Sequence, residues 1–247
     1  MERRPSAASF FLAHLSLYVI SHKHIAPFFF IGYTINSFEV YAMETSQNYV
    51  ELWGFAAAAP TFSHENHGKT FYRFPLLVER LSGQSDRLNI LISREQLTDI
   101  SVDEGTPLRV IGQLRSFNNK SGFGSRLIIS VFAQQLTEGD GSQFNRILLE
   151  GALCKTPSLR RTPLGRSICD FVLAVNRHYG RADYLPCIAW GQVAGEIARY
   201  SVGQRLLLEG RVQSRSYIKQ LDTGAEERTA FEVSVMQLLS SESEHSL

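Results

Sequence analysis

The sequence predicts a mainly all-β chain: two tandem barrels, each of five short strands with a short helix between the third and fourth. Three observations carry that prediction. The chain matches itself at a fixed spacing, each copy alternates apolar and polar residues with a period of two, and a Gly/Ser/acidic stretch lies between the copies. Length agrees, because 247 residues accommodate two domains of about 100 residues each.

The self-match runs without a gap at an offset of 97 residues. Asn48 meets Asn145, Gly54 meets Gly151, Pro60 meets Pro157 and Gly68 meets Gly165. Phe74, Leu76 and Val78 meet Phe171, Leu173 and Val175, and then Asp86 and Leu88 meet Asp183 and Leu185. After one inserted residue the offset becomes 98, pairing Gly105 with Gly203, Gly112 with Gly210, and Ser116 with Ser214. The first copy spans 48–136 and the second 145–240, joined by a linker at 137–144 that reads 137-TEGDGSQ-143 over most of its length.

In the second copy, 146-RILLEG-151 opens the barrel, and 168-ICDFVLAVN-176 follows with Phe171, Leu173 and Val175 on one face. Next come 184-YLPCIAW-190 and 205-RLLLEGRVQSRSY-217, and 229-TAFEVSVMQL-238 closes the copy on alternating Phe231, Val233 and Val235. Between the third and fourth strands, 192-QVAGEIARY-200 sets Val193 and Ile197 four apart, the spacing of a short amphipathic helix. This order is that of an OB-fold, a small Greek-key barrel. The first copy repeats it, with 94-REQLTDI-100 as a shorter helical element.

Residues 1–47 stand outside the repeat and read as a disordered or non-native extension, with Met43 as the native start and a genuine leader as the alternative. Two arginines precede an apolar run there, but His14 interrupts it and no A-x-A site follows. Ser21, His22, Lys23 and His24 break the same stretch as a membrane span.

Charge is informative once divided. The first copy has nine Lys and Arg against eight Asp and Glu; the second has thirteen against nine. A basic face on the second copy follows, which either solvation or nucleic acid explains. Cys154, Cys169 and Cys187 lack CxxC spacing and read as small apolar side chains in a reducing compartment. No clustered carboxylates or phosphate-binding Gly-rich loop is present, so neither catalysis, cofactor nor metal is expected. His64 and His67 in 63-SHENHG-68 read as a solvated turn.

Strand parity identifies what points outward. In 205–217, Leu206, Leu208, Gly210 and Val212 share one face, and Arg211, Gln213, Arg215 and Tyr217 the other. In 184–190, Leu185, Cys187 and Ala189 oppose Tyr184, Ile188 and Trp190. The loop 176-NRHYGRAD-183 adds Tyr179 between Arg177 and Arg181, and Lys219 follows Tyr217. Rings interleaved with guanidinium groups suit single-stranded nucleic acid: bases stack on the rings while arginines neutralise phosphates. Packing beneath the helix or in a subunit interface accounts equally well for any one aromatic. Four on one basic surface favour binding.

The second copy resembles the bacterial single-stranded DNA-binding proteins, from 145-NRILLEGALCKTPSLRRTPLGRSICDFVLAVNR-177 through 184-YLPCIAWGQVAGEIARYSVGQRLLLEGRVQSRSY-217. The opening N-x-x-x-x-G and the P-x-L-R-x-T-P-x-G turn are weak alone; their joint order and spacing are specific. The resemblance implies four base-stacking platforms at Tyr179, Tyr184, Trp190 and Tyr217 and phosphate or polar contacts from Arg177, Arg181, Arg211, Gln213, Arg215 and Lys219. It further implies a role in replication, recombination or repair, a cytoplasmic, nucleoid-associated location, and a homodimer of two-barrel chains. The first copy is similar to a divergent member. Its platform positions are Ser82, Arg87, Ser93 and Asn119, so it is expected to add weaker contacts through Arg80, Arg87, Arg115, Phe117, Lys120 and Arg126, or to serve in assembly. The family's acidic, apolar-tipped tail is not matched by 240-SSESEHSL-247, which puts tail-mediated partner recruitment in doubt. The alternative reading is an assembly factor of the replication machinery that binds mainly protein.

Overall fold

The computed structural model describes residues 47–119, 125–177, 180–221 and 224–241. All but the last residue of the expected extension and most of the expected tail therefore lie outside the described residues, as do Tyr179 and Lys120. In the first half the strands are β1 (Asn48–Ala56), β2 (Thr61–Asn66), β3 (Lys69–Glu79), β4 (Ser85–Ser93), β5 (Pro107–Asn118) and β6 (Leu127–Glu138). In the second they are β7 (Phe144–Leu153), β8 (Ser158–Arg161), β9 (Ser167–Asn176), β10 (Ala182–Trp190), β11 (Arg205–Leu221) and β12 (Gly224–Ser241). Helix α1 (Gly191–Ile197) follows β10, and a 3₁₀ turn (Arg94–Leu97) holds the equivalent place after β4.

Each half closes on itself. The first runs β1–β3–β4–β6–β5 and back to β1, with β4 and β6 parallel. The second runs β7–β9–β10–β12–β11 and back to β7, with β10 and β12 parallel. Two five-stranded OB barrels result, their inward-facing Val, Leu, Ile and Phe residues packed into cores. The glycines that kept phase in the sequence mark where closure crowds the backbone. A Cβ on Gly54 or Gly151 would lie 2.2 or 2.5 Å from the carbonyl oxygen of Leu77 or Ala174 on the strand that completes the barrel. On Gly112 or Gly210 it would lie 2.1 or 2.6 Å from that of Phe132 or Ser234. Only glycine allows strands to approach so closely.

The shorter helical element expected over 94–100 is a 3₁₀ turn at Arg94–Leu97; the strand count, the turn at His64 and the linker bounds differ from expectation. In the second barrel Val193 and Ile197 are four apart, and α1 is a true helix with Ala194 and Ile197 buried. Each barrel also carries an additional hairpin arm, β2 or β8, paired to the strand that follows it. His67 and Gly68, both at positive φ, make the two-residue turn of the first arm, so His64 belongs to a strand rather than a turn. Finally, β6 runs through Glu138 and β7 begins at Phe144, which shortens the expected linker to residues 139–143.

The barrels join through antiparallel pairing of β1 with β7, in which Val50 opposes Ile147. These two residues are equivalent under the 97-residue offset, so a pseudo-two-fold axis passes through this pair. The repeated asparagines pin each strand of the joint within its own barrel: Asn48 of β1 exchanges two hydrogen bonds with the Leu114 backbone of β5 (2.7 and 2.8 Å), and Asn145 of β7 does so with Val212 of β11 (2.7 and 3.0 Å).

Candidate nucleic-acid interface

Among the described residues, strand β10 carries the most exposed aromatics of the second barrel. Leu185, Cys187 and Ala189 point into the core, leaving Tyr184 and Trp190 outward at 53% and 43% exposure. Ile188, expected outward with them, is buried. It sits mid-strand between Asp170 of β9 and Ser234 of β12, whereas the two rings occupy the strand ends. Burial also pushes the Cys187 thiol pKa far above its ordinary range, and burial raises Cys154 and Cys169 as well.

Trp190 looks into a groove of about 760 Å³ walled by both barrels. The first barrel contributes Arg80, Arg87 and Asn89; the second contributes Trp190, Gln213, Arg215 and Phe231. Arg87 is exposed and in no ion pair among the described residues. The Arg215 guanidinium lies over the Tyr217 ring at 5.8 Å and 3.5 Å from Glu232, with its side chain still 59% exposed. Tyr217 is half-buried farther along the β11–β12 hairpin, outside the groove lining, and Lys219 is exposed beyond it. Arg211 lines a smaller neighbouring cavity with Arg80 and Gln213, so one outward strand face serves two recesses. Phe231, assigned by alternation to the core, packs only partly against it and lines the groove, and it is the aromatic of the site that sequence parity missed.

The seam beside the groove is held by a pair of symmetric clamps. The fully buried Asp86 carboxylate takes hydrogen bonds from Arg80 Nε (2.7 Å), Ser214 N (2.7 Å) and Ser214 Oγ (2.8 Å), while Arg80 also reaches the Ser214 carbonyl (2.8 Å). Across the pseudo-two-fold, Asp183 does the same with Arg177 Nε (2.7 Å) and Ser116 N (2.5 Å), and Arg177 reaches the Ser116 carbonyl (2.9 Å). Arg115 adds a further bond to Asp183 at 3.1 Å. Hydrogen bonding to Asp86 raises the Arg80 pKa still further, so that guanidinium stays protonated. Three arginines expected to meet phosphate are thus held by buried carboxylates at the seam.

Arg181 and Arg126 are exposed, and Phe117 is 40% exposed on the first barrel. Around His64, Ser63 is hydrogen-bonded and Phe71 stacked; no group of three or more His, Cys, Asp or Glu among the described residues could hold a metal ion.

The profile of the Single-strand binding protein family matches residues 144–239, the whole of β7 and nearly all of β12. The second barrel matches the single-strand binding protein family. Among its relatives, the single-stranded DNA-binding protein of Clostridium tetani is 41% identical over 80 residues, covering 30% of this chain and 55% of that protein. Single-stranded DNA-binding protein A of Bacillus subtilis is 37% identical over 83 residues, covering 31% of this chain and 48% of its own. The chain spans about half the length of the curated relatives it matches. In three dimensions the likeness extends to both barrels: the single-stranded DNA-binding protein from Thermus aquaticus superposes with a TM-score of 0.64 at 22% identity, covering 81% of this chain and 95% of that one. At that identity the match speaks for the tandem fold alone.

Proposed function

We propose that the chain binds and shields single-stranded DNA without strong sequence preference, in replication, recombination or repair, and that it does so as a binding module rather than an enzyme. The observation that supports this most is the groove in which Trp190 shares a wall with Arg87 and Arg215. An unpaired base stacks on an exposed ring for about 1–3 kcal/mol, and exposed guanidinium groups release counterions from phosphate. Tyr184 offers a second ring on the same strand face; Tyr217 and Tyr179 complete the set suggested by family likeness. Gln213 supplies a polar contact, with Arg181, Arg211 and Lys219 as further cations. Because Arg80, Arg115 and Arg177 are engaged by buried carboxylates, their role is to hold the seam, and Arg87 is the main first-barrel contact.

Two chains pairing to present four barrels is the assembly we favour, in the cytoplasm at the nucleoid. Among the described residues, no helix is long and apolar enough to cross a membrane. The deciding experiment is a fluorescence-anisotropy titration with labelled dT oligomers and with duplex of the same length. Tight, salt-sensitive binding to the single strand and weak binding to the duplex is expected. Equal or absent binding to both would refute the reading, and light scattering of the same samples reports the mass of the assembly.

A further inference from the structure

The pseudo-two-fold gives the Trp190 groove a counterpart on the other side of the seam, and the two are chemically unlike. Arg87 is replaced there by Tyr184, Arg215 by Phe117, and Ala230, the cross-strand neighbour of Arg215, by Ile128. Where one side presents two cations, the other presents two rings and a branched aliphatic. All three are exposed, at 53% for Tyr184, 40% for Phe117 and 38% for Ile128. They come from different barrels yet are neighbours: the Tyr184 amide donates to Ser116 Oγ at 2.9 Å, and Phe117 faces Ile128 across the β5–β6 ladder.

We infer that Phe117 of the first barrel and Tyr184 of the second form a composite base-stacking subsite at the seam, so that a bound strand continues from the Trp190 groove onto the first barrel. This rests on the single-stranded DNA reading above. The Phe117 ring is held in place, since the Arg177 guanidinium lies 5.3 Å from its centroid and is itself anchored by Asp183 and the Ser116 carbonyl. A ring fixed in this way and still 40% exposed loses little freedom when a base stacks on it. Arg181 and Arg126, exposed and in no ion pair with a described residue, supply cations in the loops flanking the patch. Flat apolar surface bordered by unpaired cations matches a nucleotide, whose base is apolar on its faces and whose phosphate is anionic. The two sites lie on one path. Tyr184 and Trp190 are six residues apart on the outward face of β10, about 20 Å along an extended strand.

The test uses the full chain carrying Phe117→Leu, which keeps apolar bulk but removes the ring, beside Trp190→Ala as a reference. Phe117→Leu should weaken binding to long dT oligomers about tenfold while leaving the salt slope unchanged, because a stack and no phosphate contact is lost. In a background of Trp53→Phe and Trp190→Phe, the F117W variant places the sole tryptophan at the subsite, and long dT should quench its fluorescence. If Trp190→Ala weakens binding and Phe117→Leu binds like the parent, the seam subsite is overturned while the groove stands. Should the parent bind no dT, the functional reading falls first. A change of mass in light scattering with dT affinity intact would overturn the subsite too, assigning the patch to a protein contact. A urea midpoint for each variant confirms that the fold is retained.

Discussion

At Asp86 and Asp183 a single carboxylate converges an arginine from its own barrel and the backbone amide and hydroxyl of a serine from the other. Removing one charge from so buried a pair leaves the other uncompensated, at a cost of about 3 kcal/mol or more. Asp86→Asn is therefore expected to lower stability by that order in urea unfolding, and Asp183→Asn similarly. The arginine and aspartate of each clamp are visible in the sequence as a repeated pair six residues apart. Their serine partner lies more than sixty residues from Asp183 and more than a hundred from Asp86, in the other copy. Composition could show Arg80, Arg115 and Arg177 as cations but not that tertiary contacts engage them. The cysteines behave as small buried side chains do: with its pKa raised by burial, Cys187 stays protonated to higher pH than an ordinary thiol. A thiol reagent at mildly alkaline pH should accordingly modify at most the partly exposed Cys154 in the native protein, and all three cysteines in denaturant. Fast native labelling of all three would contradict the buried core.

Elements were legible where one face of a strand is buried. Alternation placed the barrel strands, because inward Leu, Ile, Val and Phe recur every second residue. It could not show β2 or β8: residues of these arms are nearly all exposed, so there is no buried face to imprint a pattern. Nor could it assign Phe231, which sits on the core parity but at the end of the barrel, where the hairpin leaves the core and the ring meets the groove. The glycines were legible as repeated positions, and the structure supplies their reason. Gly112→Ala would drive a methyl against the Phe132 carbonyl, and Gly210→Ala against that of Ser234. Each should destabilise by about 1–3 kcal/mol through overpacking, seen as a lowered thermal midpoint. An unchanged midpoint would mean that the strands separate there more easily than their spacing implies.

For the molecule as a whole, duplication produced two barrels related by a pseudo-two-fold, and divergence then made the two sides of the seam different. One side is cationic around Arg87, Arg215 and Trp190; the other is aromatic around Tyr184 and Phe117. The duplication could be read directly from sequence, whereas the sharing of each recess between barrels required the β1–β7 joint. A site built this way should bind with a log affinity that falls linearly with log salt, at about −0.7 per phosphate neutralised on a single strand. Replacing Arg87 and Arg215 with alanine should flatten that slope, while Trp190→Ala should weaken binding and leave the slope alone.

The most direct measurement of the central claim is fluorescence titration of a Trp53→Phe variant with poly-dT, since Trp190 is then the sole emitter and Trp53 lies outside the groove. Saturable quenching that requires more poly-dT as salt rises is the result this account predicts. Binding detected by mass or anisotropy with the Trp190 emission unmoved would contradict it, because the strand would then lie somewhere other than against that ring.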